Sequence, residues 1–408
     1  MGFRVARRLL VGLFVAAALA VSPAALAAAP TQPALQRKLA RALRVPHIAP
    51  ARSAAIAFDL TTGATVFSQN GSLSLAPASN EKLPLTYAAL ATLGPTYRIE
   101  TDVLGEGDLD GTTWQGRLVL QGGGDPTLSS AGLRSLATQV RAAGIRRVTG
   151  GIVADESWFD SRRTVAGWRS SFFLYESPPL SALVVDRDRV GGYLSRTPAL
   201  SAAAAFARVL RDGGVAVSGP VQLGVADEYA FPIAEVTSPP LWTILRFMDR
   251  ESDNFTAELL LKQLGAVETH RGTSAAGAAV VTQALVEAGV PMTGVRIVDG
   301  SGLSLLDRLT ADAVTGILRA AWTNFALRPA FVAALPIAGV NGTLHDRLRK
   351  PPARGNVLAK TGTTREASAL SGFVRDRYAF AVLQNGNPIP YWWARRAQDR
   401  FATVLAGQ

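Results

Sequence analysis

The 408-residue chain is 48% hydrophobic and 18% charged, carries a formal net charge of +11 and contains no cysteine. That length suits a large buried core and two or three domains, and the apolar content is too high for a disordered chain. The missing cysteines exclude disulfides, thiolate metal sites and cysteine nucleophiles, and His47, His270 and His345 lie too far apart in sequence to suggest a multi-histidine metal site.

At the N-terminus, Arg4, Arg7 and Arg8 precede an apolar run from Leu9 to Val21, and Ala25-Leu26-Ala27 follows as an A-x-A cleavage site. This is the pattern of a secretory signal peptide over residues 1–27, with an uncleaved anchor as the alternative. No later run reaches the roughly 18 apolar residues of a membrane-spanning helix. The mature chain is therefore expected without a transmembrane segment, exported to the periplasm or the extracellular side of the envelope. Residues 1–27 hold three arginines and no acid, so cleavage leaves a net +8. For an exported protein such a charge suits an anionic envelope surface, and no nucleic-acid partner is expected. The alternative is a solvated basic surface produced by arginine bias, since 37 of the 42 basic residues are arginine. The five lysines are Lys38, Lys82, Lys262, Lys350 and Lys360, and lysine, unlike arginine, can give up its proton.

Residues 54–60 and 64–70 are β-rich runs around Thr62-Gly63 and read as a hairpin. A helical segment is expected from Ser79 to Leu93. Residues 99–240 change character, with short strands at 117–122, 150–155 and 221–225, Gly-rich turns and one helix over Leu133–Ala143. From Pro240 the chain is helical again through Gly265. Val357–Thr364, Ala369–Val374 and Tyr378–Gln384 read as three sequential strands, hence an antiparallel sheet. Trp392 to Leu405 then forms a helix with one apolar face. The pattern is α+β: a domain built from both ends of the chain (28–98 and 240–408), with a second, smaller mixed domain (99–239) inserted between.

Three short motifs bear on chemistry. Ser79-Asn80-Glu81-Lys82 heads a helix, where positions i and i+3 share a face and the free N–H groups favour developing negative charge. Ser252-Asp253-Asn254 precedes the helix beginning at Phe255, and Lys360-Thr361-Gly362-Thr363 lies on a β-rich run before a tight turn. Each alone has a plain structural reading: an N-cap serine with a surface lysine, a capping cluster, and an edge-strand lysine. Together, in this order and with two of only five lysines on the two lysine positions, they form the S-x-x-K, S-D-N, K-T-G trio of class A β-lactamases and penicillin-binding proteins.

Further blocks extend the match: GGGDPTLS (122–129), GGIVADESWF (150–159), SPPLSALVVDRD (177–188), SDNFTAELLL (252–261), DGSGLS (299–304) and GVNGTLHDRL (339–348). With them the sequence resembles the D-alanyl-D-alanine carboxypeptidase/endopeptidases, the low-molecular-mass class C penicillin-binding proteins, over nearly the whole mature chain. The resemblance implies a transpeptidase-like domain, an antiparallel sheet flanked by helices, with an insert after the S-x-x-K helix. Because Val185–Ala205 runs straight on, one inserted domain is expected, without the further domain that many members nest inside it.

The resemblance also implies roles. Ser79 would be the nucleophile and Lys82 its base, Ser252 a proton relay, and Asn254 a partner of Lys82 and of the substrate amide. Lys360 would supply the field that keeps Lys82 neutral, while Thr361 and Thr363, with Gly362 between them, would hold the terminal carboxylate. The backbone N–H groups of Ser79 and Thr363 would form the oxyanion hole. Peptidoglycan stem peptides would be the substrate and β-lactams covalent inhibitors, with no cofactor or metal.

Several positions depart from the family pattern or from simple helix rules. Pro84 falls inside the expected helix, Glu81 is expected to face away from Lys82, Leu305 replaces a common arginine, and Asp188 replaces a common asparagine. A β-lactamase or acyl-serine esterase, and a non-catalytic peptidoglycan-binding protein on the same fold, remain as alternatives.

Overall fold

The structure is a computed structural model that describes residues 33–190 and 193–408. The expected signal peptide, residues 1–27, lies outside the described residues.

Helix α1 (Pro33–Leu43) leads into the hairpin of β1 (Ser53–Asp59) and β2 (Ala64–Gln69). A 3-10 turn over Ala78–Glu81 then opens α2 (Lys82–Leu93). The chain next builds a separate sheet. A long hairpin of β3 (Glu100–Asp110) and β4 (Thr113–Gly122) is followed by α3 (Ser130–Ala142), β5 (Ile152–Asp155), α4 (Pro198–Asp212), β6 (Val221–Leu223) and β7 (Phe231–Thr237). The strand order is β6-β5-β4-β3-β7, with two-residue strands at Arg147–Val148 and Ala216–Val217 off this path. β4, β5 and β6 pair in parallel, whereas β3 pairs antiparallel with β4 and β7. Its own core joins Leu118, Leu120, Leu136, Val140, Phe206 and Leu210. Strand β3 was not legible in the sequence: acidic residues and glycine break its apolar alternation, and pairing with β4 supplies what propensity does not.

Beyond this unit come α5 (Leu241–Glu251), α6 (Asn254–Thr269), α7 (Ser274–Glu287), α8 (Ala311–Thr323) and α9 (Arg328–Ala334). Strands β8 (Val357–Thr363), β9 (Ala367–Val374) and β10 (Tyr378–Asn385) and helix α10 (Tyr391–Ala406) close the chain. The second sheet runs β8-β9-β10-β1-β2, antiparallel throughout, so both ends of the chain share it. The architecture is α+β.

Period-two alternation assigns the faces of this sheet. Ile56, Phe373, Ala381 and Leu383 pack into a core with α2, α5, α6, α8 and α9. Ala57, Phe380 and Val382 pack on the other side against Leu39 of α1 and Phe401 and Leu405 of α10. Both faces are covered, which is why these strands read as nearly continuous apolar runs. β8 is one of the two edge strands, β2 the other. Leu358 packs toward the α2 layer, so Lys360 and Gly362, two and four residues on, face that layer as well.

Candidate active site

The site forms where the 3-10 turn, the α5–α6 junction, the loop at 299–304 and edge strand β8 meet. Ser79 is half-buried in the turn, and Ala78 just before it holds φ +48°, a left-handed conformation that costs a non-glycine residue about 1–2 kcal/mol. The α-helix proper starts at Lys82, so Pro84 falls in its first turn, where a missing N–H leaves no bond unmade. The helix expected from Ser79 thus begins three residues later, and the proline causes no kink.

Lys82 is fully buried. Its Nζ lies 3.3 Å from Ser79 Oγ and donates to Asn254 Oδ1 at 2.9 Å and to the Ser301 carbonyl at 2.8 Å. Burial lowers its pKa first of all, against the opposing pull of Asp299, Asp253, Glu258 and Asp249. Lys360 is likewise pushed down, to about 7, by burial and then by Lys82, with Asp249 opposing.

Lys360 Nζ donates to Ser252 Oγ at 2.9 Å and to the Thr361 carbonyl at 3.0 Å. Ser252 sits in the left-handed region at φ +58° as the C-cap of α5, and Asp253 caps α6 by accepting the Thr256 N–H at 2.8 Å. The S-D-N run therefore does both things its composition allows: Asp253 caps, while Ser252 and Asn254 present side chains to the lysines. Asn254 Nδ2 donates to the Glu176 carbonyl at 3.1 Å, from a strap of the 99–239 unit.

The structure thus gathers Ser79, Lys82 and Asn254 in one hydrogen-bonded group and Ser252 with Lys360 in another, and no hydrogen bond joins the two. Thr361 is tied elsewhere, its hydroxyl meeting Thr343 Oγ1 at 2.7 Å, and Thr363 is exposed at the strand end. The Ala359 N–H donates outward to the Pro336 carbonyl at 3.0 Å, so the Thr361 and Thr363 N–H groups, at the same alternation, also point away from β9. Gly362 lets the strand pass close to the turn: a Cβ there would lie 2.9 Å from the Pro77 carbonyl oxygen and 3.1 Å from Ser79 N.

Sequence reasoning missed the layer beneath Lys82. Glu258, one helical turn after Asn254, accepts the Ser301 N–H at 2.9 Å and the Gly300 N–H at 3.2 Å. Asp299 accepts the N–H groups of Gly302 at 2.6 Å and Ser304 at 2.7 Å, and the Trp168 indole N–H at 2.8 Å. These two carboxyl groups shape the loop whose Ser301 carbonyl meets Lys82. The available signal was an acid at 258 within the apolar run Phe255–Leu261. Glu81 is a correction: it does not face outward but is buried, with both carboxyl oxygens unpartnered. The 3-10 turn directs it inward, against Gly302. Burial, then Asp299 and Glu258, raise its pKa well above the usual range against the opposing pull of Lys82, which favours the uncharged form of the carboxyl group.

Beside Ser79, a cavity of about 530 Å³ is lined in part by Ala78, Leu303, Leu305, Arg308, Thr364 and Glu366. At its edge Arg169 of the 99–239 unit forms an ion pair with Glu366.

The family model described as D-Ala-D-Ala carboxypeptidase 3 (S13) matches residues 35–194 and 192–406. A D-alanyl-D-alanine carboxypeptidase of Actinomadura sp. (strain R39) is 32% identical, over 89% of this chain and 83% of its own. Carboxypeptidase DacB of Mycolicibacterium smegmatis is 35% identical, over 85% and 78%. The crystal structure of penicillin binding protein 4 (dacB) from Haemophilus influenzae shares the fold with a TM-score of 0.79 at 23% identity, covering 91% of this chain and 98% of that one. The same protein in complex with a β-lactam superposes with a TM-score of 0.75.

Proposed function

The chain belongs to the D-Ala-D-Ala carboxypeptidase 3 (S13) family of serine peptidases, and we propose that it removes the terminal D-alanine of peptidoglycan stem peptides through an acyl-enzyme on Ser79. One observation carries the assignment of roles. Of the three partners of Lys82 Nζ, two are carbonyl oxygens that can only accept, and the third is the Ser79 hydroxyl. A neutral amine has two hydrogens and one lone pair, so satisfying Asn254 and Ser301 aims the lone pair at the serine proton. Burial of Lys82 favours that neutral form.

In this reading Lys82 takes the hydroxyl proton as Ser79 Oγ attacks the carbonyl carbon of the penultimate residue. The oxyanion is held by the Ser79 and Thr363 N–H groups. The C–N bond then breaks as the proton held by Lys82 passes through the Ser252 hydroxyl, which Lys360 orients, to the leaving amine, and Lys82 is neutral again. Water attacks the ester, Lys82 accepts its proton, and as the ester C–O bond breaks that proton returns to Ser79 Oγ, releasing the shortened acid. Substrate binding exchanges the bond from Asn254 Nδ2 to the Glu176 carbonyl for one to the substrate amide, and Thr361 and Thr363 lie on the strand edge along which the terminal carboxylate runs. A penicillin enters the same way, but its ring-opened leaving group stays tethered, so the adduct persists.

We further read residues 1–27 as an export signal that delivers the enzyme to the cell envelope. Residues 28–98 and 240–408 are read as the catalytic domain and 99–239 as an insert, which the separate cores of the two sheets support. The match across residues 35–406 favours this peptidase over the β-lactamase and non-catalytic alternatives. The test is intact mass and peptide mapping after brief exposure to a labelled penicillin. A stable adduct on Ser79, absent from Ser79→Ala, is expected, and an adduct on another residue or none at all would overturn the mechanism.

A further inference from the structure

The positive charge of this protein is segregated. Residues 99–239 hold 13 arginines against 16 acidic residues, a net −3, while the rest of residues 28–408 carries +11. A uniform arginine bias does not produce that division. Part of the excess lies on the layer formed by α1 and α10, side by side on the sheet face away from α2. α1 turns Leu35, Leu39, Ala42 and Leu43 inward and contains no acid. Arg37, Lys38 and Arg41 are exposed on its outer side, and Arg396 and Arg400 are exposed on α10. The single acid of α10, Asp399, is already paired with Arg347 at 2.7 Å.

This basic layer also presents aromatic rings to water. Trp392 is 57% exposed, packed edge-on against Trp393 with ring centroids 4.6 Å apart, and the Arg396 guanidinium lies 5.1 Å above the Trp392 ring. Trp392 and Arg396 border a shallow concavity of about 820 Å³ that also includes Arg400. Arginine and tryptophan side by side suit one environment above others, the boundary where anionic headgroups meet acyl chains: the cation meets phosphate and the indole sits at headgroup depth. Among the described residues no helix is long and apolar enough to cross a membrane, so the contact would be peripheral.

We infer that the α1/α10 layer docks the protein on an anionic phospholipid bilayer. Ser79 lies beyond the opposite face of the sheet, so docking leaves the cleft turned away from the lipid, toward the wall. The inference is independent of the catalytic reading.

The test is co-sedimentation with vesicles, using the chain without residues 1–27 so that the apolar leader cannot bind for it. Binding to vesicles of phosphatidylcholine with phosphatidylglycerol is expected, with little binding to phosphatidylcholine alone and release by salt. The triple change Arg37→Gln, Lys38→Gln and Arg41→Gln should weaken binding about a hundredfold, from roughly one fivefold step per cation near a charged surface. Trp392→Ala should weaken it about tenfold. A control triple with the same loss of charge on the inserted unit, Arg147→Gln, Arg208→Gln and Arg211→Gln, should change it less than about threefold, because those cations lie outside the docking face. Penicillin acylation should be unchanged in every variant. Equal weakening by both triples would reduce the effect to net charge and overturn the proposal. So would an absence of preference for anionic vesicles, or binding to a soluble anionic polymer such as polyglutamate without binding to vesicles.

Discussion

Gly362→Ala tests how closely strand β8 must approach the nucleophile. The added Cβ would lie 2.9 Å from the Pro77 carbonyl oxygen, 3.1 Å from Ser79 N and 3.2 Å from Ala78 Cβ. Carbon and oxygen settle at about 3.3–3.6 Å even in favourable contacts, so strand and turn must separate by about 0.4 Å or more. Two of the three obstructing atoms are backbone, and neither can swing aside. An oxyanion donor acts at about 2.7–3.1 Å, and an added 0.4 Å takes it to the limit of a hydrogen bond. Complete loss of one donor costs about 2.7–4 kcal/mol. Roughly half of that, about 1.5–2 kcal/mol, corresponds to acylation slowed about 10- to 30-fold. Gly362 does not have a positive φ, so alanine meets no backbone strain and stability should change by less than about 1 kcal/mol. Stopped-flow acylation by a fluorescent penicillin, with a thermal melt alongside, measures both. An acylation rate within about threefold of wild type at an unchanged melting temperature would show that this approach does not set the oxyanion geometry.

Glu258 is pushed up to about 8, chiefly by burial and then by Asp299. The folded chain therefore keeps a proton that the unfolded chain has already released, and this contribution, complete below about 4.3, is lost as pH rises through 8. Glu258→Gln keeps an acceptor for the Ser301 N–H and should flatten the fall in the urea midpoint between about pH 5 and 8; an unchanged slope would refute the assignment. Asp188, buried with both carboxyl oxygens unpartnered, is raised to about 7 by burial against the opposing charge of Arg163. Its contribution is full below about 3.9 and lost as pH rises through 7, so Asp188→Asn should be more stable than wild type at about pH 8 and no more stable at about pH 4, as read by denaturant titration. Thr273 caps α7 by accepting the Ala276 N–H at 3.0 Å. Thr273→Ala should lose about 1 kcal/mol in the same titration with acylation unchanged, because the cap makes no contact with the site.

The strands of the shared sheet were legible because burial on both faces leaves a continuous apolar signal, as in Tyr378–Asn385, and a short turn between neighbours forces antiparallel pairing. Hairpin β1–β2 was legible for the same local reason. Strand β3 and helix α1 were not read: β3 is acidic and interrupted by glycine, whereas α1 carries Leu35, Leu39, Ala42 and Leu43 at helical spacing, a signal the sequence did offer.

At the site, Ser79, Lys82, Ser252, Asn254 and Lys360 could be named because their motifs are short and local. Which groups meet was decided by the fold. The inward turn of Glu81, the start of the helix at Lys82, and the Ser301 carbonyl held by Glu258 all depend on segments that approach from far along the chain. The sequence by itself determined the reactive groups and the secondary-structure periods, because spacing and side-chain chemistry are local properties. Only the tertiary structure decided the burial that lowers the pKa of Lys82 and the carbonyl partners that orient its lone pair, because desolvation and hydrogen-bond geometry exist only when distant residues pack together.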